Sequence, residues 1–319
     1  MKFKILGTGS YKPAKIVKND DFAEMVETND EWIVKRVGIS ERRFSADETT
    51  SDMATKASLN ALEGSGLKAD DLDMIIVATI TPENIAPNVA CSVQRNIGAK
   101  CPAMDISSAC SGFVFALETA TGFLAMENYH RILVVGAERL SSIVDFSDRS
   151  TCIIFADGAG AVVVSDEEDN YLSSVLHSKG GDEALHIPNA SGNSPFYTLE
   201  KNDKITINMQ GQETYKFAVS SMQKDVIDVM EKANLTNEDI KWVIPHQANI
   251  RIIKEASRKI PIDKEKFCSN ISHTGNTSSA SVAILLDELN KEGKIQKGDN
   301  IILTAFGAGL SSGACAIKF

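Results

Sequence analysis

Three residues from distant parts of the sequence have side chains that could carry out covalent acyl chemistry: Cys110, His246 and Asn276. The cysteine follows a short apolar run and precedes a helical pattern beginning at Phe113, which predicts a thiol at the N-terminus of a buried helix. Such a position favours the thiolate, and the backbone N–H groups there can bind an oxyanion. Taken alone, Cys110 could equally be a buried cysteine that only packs.

A histidine and an asparagine in the second half of the chain complement this cysteine. His246 comes directly after an apolar strand-like run, and Asn276 lies in a Gly-Asn-Thr turn before another helical pattern. Each has an ordinary structural explanation, as a hydrogen-bonded core histidine or as a turn asparagine. Together with Cys110 they form the kind of set that catalytic sites assemble from remote segments. We therefore interpret the three residues as a candidate set for thioester chemistry.

The composition is that of an ordinary globular protein, and it excludes several classes of function. The chain has 319 residues, of which 43% are hydrophobic and 24% charged, with a formal net charge of −10. The negative charge argues against a nucleic-acid binder, and no segment approaches the roughly 20 apolar residues of a membrane span. The six cysteines show no C-x-x-C pairing, which predicts reduced thiols in a cytoplasmic protein without a metal site.

Apolar strand-like runs alternate with helical patterns along the chain, which predicts an α/β fold with buried sheets. The acidic stretch 166–170 is the best internal boundary and divides the chain into 1–168 and 169–319. The Gly-rich segments 155–160 and 306–309 each lead into an apolar run, which suggests an internal duplication. Residues 180–205 are rich in glycine and polar residues and are predicted to form a loop near a substrate entrance.

Several motifs in a fixed order make the chain resemble β-ketoacyl-acyl-carrier-protein synthase III, an initiating condensing enzyme of bacterial fatty-acid synthesis in the thiolase-like superfamily. The resemblance extends over essentially the whole length. A cysteine combined with one histidine and one asparagine distinguishes this type from elongating condensing enzymes, which use two histidines. The other motifs are ILGTGSY at 5–11, TNDEWIVKR at 28–36, FADGAG at 155–160 and AFGAG at 305–309.

This resemblance implies a five-layer αβαβα fold of two related halves and a homodimer that uses CoA thioesters as substrates, with no cofactor. Cys110 would accept the acyl group of an acyl-CoA, and the N–H groups of Cys110 and Ala308 would form the oxyanion hole. Malonyl-acyl carrier protein would then lose CO₂, while neutral His246 and Asn276 donate hydrogen bonds to the enolate. The carbanion would attack the acyl-cysteine. Phe306 would exclude water from the acyl pocket.

A second group of residues is predicted to bind CoA. Thr28 and Glu31 fit a capping box and Gly38 fits a C-terminal stop, so a short helix from Asn29 to about Val37 is expected between them. On this helix Trp32 could stack on adenine and Arg36 could meet phosphates, although a core tryptophan and a solvated arginine also fit the pattern. The resemblance completes the adenine site with a second arginine, and the predicted CoA-binding residues are Thr28, Trp32, Arg36, Arg149 and Asn249.

A row of basic residues follows the histidine motif. Arg251, Lys254 and Arg258 are three and four positions apart, which predicts that they share one face of a helix. Such a row is usually a solvated face, but in an acidic chain it also fits the docking of an acidic carrier protein. The resemblance adds Lys216 to this docking patch.

One departure from the family pattern concerns the acyl group. Position 86 is Ala, whereas relatives commonly carry a Phe that reaches across the dimer and closes the acyl pocket of the partner subunit. Because a core does not close fully over the loss of such a ring, we expect acceptance of branched or medium-length acyl groups as well as acetyl.

Two alternative functions remain open from the sequence. A relative with the same acyl-cysteine could transfer its acyl group to another acceptor, as secondary-metabolite members of the superfamily do. The chain could also be a catalytically silent subunit that serves as a scaffold, although the intact cysteine motif argues against that.

Overall fold

The computed structural model describes residues 1–189, 196 and 204–319. The β-strands in these ranges are β1 (Lys4–Tyr11), β2 (Lys15–Lys18), β3 (Glu41–Phe44), β4 (Met74–Ala78), β5 (Ala103–Ile106), β6 (Arg131–Arg139), β7 (Asp157–Ser165), β8 (Tyr171–Gly181), β9 (Leu185–His186), β10 (Asn208–Met209), β11 (Ile240–Pro245), β12 (Asn300–Gly307) and β13 (Gly309–Lys318). The α-helices are α1 (Asn19–Phe22), α2 (Asp30–Val37), α3 (Thr50–Ser65), α4 (Val89–Ile97), α5 (Gly112–Leu124), α6 (Arg149–Cys152), α7 (Gly211–Ala233), α8 (Ile250–Ala256), α9 (Ile271–Thr274) and α10 (Ala280–Lys291). None of these helices is long and apolar enough to cross a bilayer.

The two main sheets repeat one topology. The strand order is β1-β7-β6-β4-β5 in the first sheet and β8-β13-β12-β11 in the second. In both sheets the first two pairings are antiparallel and the third is parallel. A parallel bridge between Val243 and Phe267 takes the place that the β4–β5 pairing has in the first sheet. These equivalences confirm the predicted duplication, and the two Gly-rich segments lead into the equivalent strands β7 and β13, whose first residues they include.

The sheets and helices stack in five layers, as predicted. Helices α3 and α4 cover the outer face of the first sheet, α5 and α10 lie between the two sheets, and α7 and α8 cover the outer face of the second. Apolar side chains from both sheets and both central helices form one continuous core. Because α5 and α10 share this core with both sheets, the division into units 1–168 and 169–319 stays a prediction.

Two glycines allow α10 to lie directly on the first sheet. A Cβ on Gly160 of β7 would lie 2.6 Å from the Cβ of Ala283, and a Cβ on Gly136 of β6 would lie 2.5 Å from the carbonyl oxygen of Ser279. These approaches leave no space for a methyl group. They therefore fix the position of the turn before α10, which carries Asn276.

We expect the substitution Gly160→Ala to lower the free energy of unfolding by about 1–3 kcal/mol, because the added methyl group overpacks the contact with α10. The matched control is Gly122→Ala in α5, where an added Cβ meets nothing within 4 Å. That change should raise the stability by up to about 1 kcal/mol, the difference in helix propensity. Urea unfolding measures both values, and equal effects of the two substitutions would contradict the close packing of α10.

Candidate active site

A single cavity of about 690 Å³ brings together the residues that the sequence analysis selected. Cys110, His246 and Asn276 all line it, although they come from different halves of the chain. All three are buried, with exposed fractions of 8%, 1% and 4%. At its outer part the same cavity is lined by the exposed residues Arg36 and Arg149. The cavity therefore connects the protein surface to a buried thiol.

Cys110 lies in a 3₁₀ turn, Ala109–Ser111, directly before α5. Ala109 has a φ of 44°, a left-handed conformation that costs a non-glycine residue about 1–3 kcal/mol and that tertiary contacts must hold in place. The turn after β12 supplies such contacts, since a Cβ on Gly307 would lie 2.7 Å from the backbone nitrogen of Cys110. The hydroxyls of Ser111 and Ser311 join the two turns at 2.8 Å.

The second predicted oxyanion donor, Ala308, follows the glycine that touches Cys110. Its carbonyl oxygen accepts a hydrogen bond from the Ser311 hydroxyl at 2.8 Å. Ala308 is not among the residues that line the cavity. Its N–H group as an oxyanion donor therefore stays a prediction.

Burial controls the protonation state of the cysteine. It raises the pKa of Cys110 to about 12, a hydrogen bond with Ser278 lowers it, and the nearby Glu138 carboxyl group raises it further. Burial thus shifts the pKa of Cys110 in the direction opposite to the one expected at a helix N-terminus, because the thiolate loses its solvation. The thiol must lose its proton during the reaction.

His246 is held as a neutral imidazole at the end of β11. Burial lowers its pKa to about 3. Its Nδ1 atom lies 2.6 Å from the hydroxyl oxygen of Ser281, and that oxygen also accepts the backbone N–H of Gln247 at 3.4 Å. In the tautomer that lets the Ser281 hydroxyl donate to Nδ1, the ring proton is on Nε2, the nitrogen that remains for a ligand. The ring of Phe306 packs edge-on against this imidazole, with the ring centroids 5.3 Å apart.

Asn276 is fixed by backbone and side-chain hydrogen bonds. Its N–H donates to the carbonyl of Ile154 at 3.0 Å, and its own carbonyl accepts the N–H of Ala156 at 2.8 Å. The side-chain oxygen accepts the N–H of Ser278 at 2.9 Å. This leaves the side-chain NH₂ group as the part of Asn276 that can donate to a ligand in the cavity.

Sequence reasoning missed Glu138, a fully buried carboxyl group at the end of β6. One oxygen accepts hydrogen bonds from the hydroxyls of Ser279 at 2.9 Å and Ser278 at 3.2 Å, and the other accepts the Thr81 hydroxyl at 2.7 Å. Glu138 thus joins the turn that carries Asn276 to the segment after β4. The sequence feature that could have indicated Glu138 is an acidic residue near the end of an apolar strand-like run.

We expect Glu138 to make the stability of the protein depend on pH. Burial raises its pKa to about 7 in the folded state, against the ordinary value of 4.5. A raised pKa means that the stabilisation from the protonated group is complete below pH 4.5 and is lost as the pH rises through about 7. Between these limits the free energy of unfolding of the natural protein should fall relative to that of Glu138→Gln by about 3 kcal/mol. Urea unfolding of both proteins measures the difference, and parallel pH curves would contradict the expectation.

The predicted CoA-binding residues Trp32, Arg36, Arg149 and Asn249 all line the outer part of the cavity. The guanidinium carbon of Arg149 lies 4.7 Å from the centre of the Trp32 ring, and that of Arg36 lies 5.8 Å from it. Asn249 accepts the N–H of Arg251 as the N-cap of α8 and donates to the carbonyl of Arg36. Arg149 and Trp32 are in direct contact, so they would have to separate before an aromatic ring could lie between them.

The predicted role of Thr28 as a helix cap is wrong. The side chain of Asn29 accepts the N–H of Trp32 at 2.8 Å, and the helix begins one residue later than the capping box indicated. Asparagine is at least as good an N-cap as threonine, which explains the shift. The hydroxyl of Thr28 is buried without a hydrogen-bond partner among the described residues, and Thr28 does not line the cavity. The predicted stop is correct, since Gly38 ends α2 with a φ of 83°.

The basic residues predicted to dock a carrier protein do not form one helix face. Helix α8 ends at Ala256, so Arg258 lies beyond it and forms an ion pair with Glu255. The reason is that the helical pattern breaks into a turn at Ser257. Arg251 is exposed and lines the cavity, Lys254 is exposed on α8, and Lys216 on α7 pairs with its neighbour Glu213 at 2.8 Å.

Of the two acyl-pocket residues, the structure places only one in the cavity of its own chain. Phe306 lines it, whereas Ala86 is exposed on the segment between β4 and α4. The proposed reach of position 86 into a partner subunit stays a prediction. Of the predicted loop at 180–205, Leu185 lines the cavity, and residues 190–195 and 197–203 lie outside the described part of the chain.

Comparison with known proteins agrees with this geometry. The family model described as 3-oxoacyl-[acyl-carrier-protein] synthase III matches residues 104–180, and the model for the C-terminal part of the same family matches residues 230–319. A β-ketoacyl-[acyl-carrier-protein] synthase III from Clostridium beijerinckii is 49% identical, with 99% of each chain covered. One from Oceanobacillus iheyensis is 46% identical, covering 100% of this chain and 99% of that relative.

Solved structures give the same result. The crystal structure of 3-oxoacyl-[acyl-carrier-protein] synthase III from Aquifex aeolicus superposes with a TM-score of 0.93 at 44% identity, covering 99% of this chain and 100% of that one. The corresponding enzyme from Thermus thermophilus gives 0.91 at 40% identity, covering 99% and 98%. The chain therefore belongs to the β-ketoacyl-acyl-carrier-protein synthase III family, the condensing enzymes that initiate fatty-acid synthesis.

Proposed function

We propose that this enzyme condenses an acyl-CoA with malonyl-acyl carrier protein through an acyl intermediate on Cys110. The observation that carries the proposal is the single cavity that connects the exposed arginines Arg36 and Arg149 to the buried Cys110, His246 and Asn276. Cationic side chains at the surface suit the phosphates of CoA. A buried thiol suits an intermediate that water must not reach.

In the first half-reaction the sulfur of Cys110 attacks the thioester carbonyl of the acyl-CoA. A new carbon–sulfur bond forms to the enzyme, the bond to the CoA sulfur breaks, and CoA leaves as a thiol with the proton that Cys110 gives up. The oxyanion formed on the way would accept hydrogen bonds from the N–H groups of Cys110 and Ala308. Burial keeps the attacking group protonated until the substrate is bound.

In the second half-reaction the malonyl thioester loses CO₂ and its electrons pass to the thioester oxygen as an enolate. The Nε2–H group of His246 and the side-chain NH₂ of Asn276 would donate hydrogen bonds to that oxygen. A neutral imidazole is the required form, and the pKa of about 3 keeps His246 neutral at physiological pH. The enolate carbon then attacks the acyl-cysteine and releases the Cys110 sulfur as a thiolate, which takes up a proton from water to restore the thiol.

Substitutions at these two residues separate the half-reactions. We expect His246→Ala and Asn276→Ala to form acyl-Cys110 from acyl-CoA but to decarboxylate malonyl-acyl carrier protein about 10²–10³-fold more slowly, since each removes an enolate donor. Intact-protein mass spectrometry measures the acylation, and release of labelled CO₂ measures the decarboxylation. Cys110→Ala is the control that should gain no acyl mass. Loss of acylation in folded His246→Ala would instead identify His246 as the base that activates the thiol.

We propose that the carrier protein docks beside the cavity, at Lys254 and Arg251. Both residues are exposed on α8, and Arg251 also lines the cavity. A local positive patch suits an acidic partner of an acidic enzyme. Of the other two predicted cations, Lys216 and Arg258 already have acidic partners on the chain itself.

Charge reversal at Lys254 tests this docking site. We expect Lys254→Glu to raise KM for malonyl-acyl carrier protein severalfold at low ionic strength, with the difference shrinking as salt shortens the screening length. Acylation by free acyl-CoA should not change. Lys297→Glu is the matched control, because Lys297 is 82% exposed and lies outside the cavity. Equal loss of both activities in Lys254→Glu would place this residue in the CoA site instead.

We further propose a homodimer in the cytoplasm. Strand β5 is the half-exposed edge of the first sheet, and Ile85, next to Ala86, is 92% exposed, so both features offer surface to a second copy. The six cysteines are free thiols, which suits a reducing compartment. Light scattering tests the dimer, and kcat/KM for acetyl-CoA and branched acyl-CoA in Ala86→Phe tests the contribution of position 86.

A further inference from the structure

A cluster of ionisable groups lies on the outer side of the second sheet, away from the cavity. Asp225 and Asp228 lie three positions apart on α7, so both face β8, where His177 stands in register with Ser312 of β13. None of these residues lines the active-site cavity. The reaction described above therefore does not explain them.

Asp225 is the unusual member of this cluster. Its side chain is only 1% exposed, and neither carboxylate oxygen makes a well-formed hydrogen bond among the described residues, although the Ser312 hydroxyl lies close enough to lower the pKa of Asp225 by hydrogen bonding. An ionised carboxylate that is buried without partners is strongly unfavourable, so such groups are normally found beside a cation. Burial raises the pKa of Asp225, while Ser312, His177 and Lys224 lower it and Asp228 raises it further.

The donor atoms around Asp225 are arranged for a metal ion. The Nε2 atom of His177 lies 3.5 Å from Oδ1 of Asp225 and 3.8 Å from Oδ2 of Asp228. One nitrogen and two carboxylate oxygens all lie within 4.8 Å of one another. A zinc-type ion binds such donors at about 2.0–2.2 Å, so two of its ligands are at most about 4 Å apart, and small side-chain rotations complete the set.

The ammonium group of Lys224 contacts two of these three donors. Its Nζ atom lies 3.0 Å from Nε2 of His177 and 2.5 Å from Oδ2 of Asp228. The lysine side chain is 59% exposed, so it can turn into solvent without opening the core. The ammonium group of a lysine is a compact positive charge, so its contacts here show that these donors stabilise a cation. A divalent ion bound to the same donors would displace it.

From this geometry we propose that His177, Asp225 and Asp228 form a binding site for a divalent transition-metal ion of the zinc class, in competition with the Lys224 ammonium group. The mixture of one imidazole and two carboxylates favours such ions over Mg²⁺ or Ca²⁺, which select all-oxygen sites. Three protein ligands leave positions for water. Because the ligands come from β8 and α7, the ion would join the long helix to the sheet below it. The site uses no cysteine, so it differs from the zinc sites that the cysteine spacing excluded.

Titration of the full-length protein with Co²⁺ tests the proposal. Visible absorption should show one ion per chain without a thiolate-to-cobalt charge-transfer band, which separates this site from the cysteines, and thermal unfolding should shift upward with free Co²⁺. His177→Ala should abolish both signals, and Asp228→Asn, at a partly exposed position, should weaken binding at least about tenfold. Lys224→Gln should tighten binding by about tenfold or more, because a competing positive charge is removed.

His130→Ala is the matched control, since His130 is an exposed histidine beside one carboxylate, Asp166, at 2.9 Å. The His130→Ala variant should bind Co²⁺ with the same affinity as the natural protein. Asp225→Asn should also abolish binding, and if that variant does not fold, His177→Ala and Asp228→Asn still decide the question. A thiolate band, unchanged binding in His177→Ala, or unchanged affinity in Lys224→Gln would each overturn the proposal and leave the cluster as an ion-pair network only.

Discussion

The burial of polar groups between the two halves is the constraint on which the rest of the structure depends. Every group that the chemistry needs is removed from water, and a buried polar group is stable only with a hydrogen-bond partner. In the turn before α10, the hydroxyls of Ser278 and Ser279 have the Glu138 carboxyl group as their hydrogen-bond partner. The imidazole of His246 has the Ser281 hydroxyl as its partner. The same partners that make burial tolerable also fix the orientation of Asn276 and of the His246 ring.

Burial also sets the protonation states in a direction that suits a two-step reaction. It keeps the imidazole of His246 neutral and the sulfur of Cys110 protonated, because each charged form would lose its solvation. A neutral imidazole can donate to an enolate without first losing a proton. A protonated thiol is a weak nucleophile, so Cys110 stays unreactive until its proton is transferred.

The duplication explains how residues of such different position reach one cavity. Helices α5 and α10 are equivalent elements between the sheets, and they begin close together, since a Cβ on Gly112 at the start of α5 would lie 3.5 Å from the Cβ of Ser279 directly before α10. Cys110 precedes the first helix and Asn276 precedes the second. His246 follows β11, the strand that corresponds to β4 of the first sheet. Two copies of one architecture thus bring Cys110, His246 and Asn276 to one cavity from separate halves.

The sequence was sufficient where the signal is local, and insufficient where it depends on contacts between remote segments. Local patterns indicate four features: the turn with Cys110 before a helix, the Gly-Asn-Thr turn, the alternation of strands and helices, and the end of α2 at Gly38. No local sequence pattern indicates the role of Glu138, since its hydrogen-bond partners come from two other segments of the chain. No local pattern indicates the protonation state of Cys110 either, because the solvation of its sulfur depends on all the residues that pack around it. Even the start of α2 was misplaced by one residue, since two adjacent good caps compete and packing decides between them.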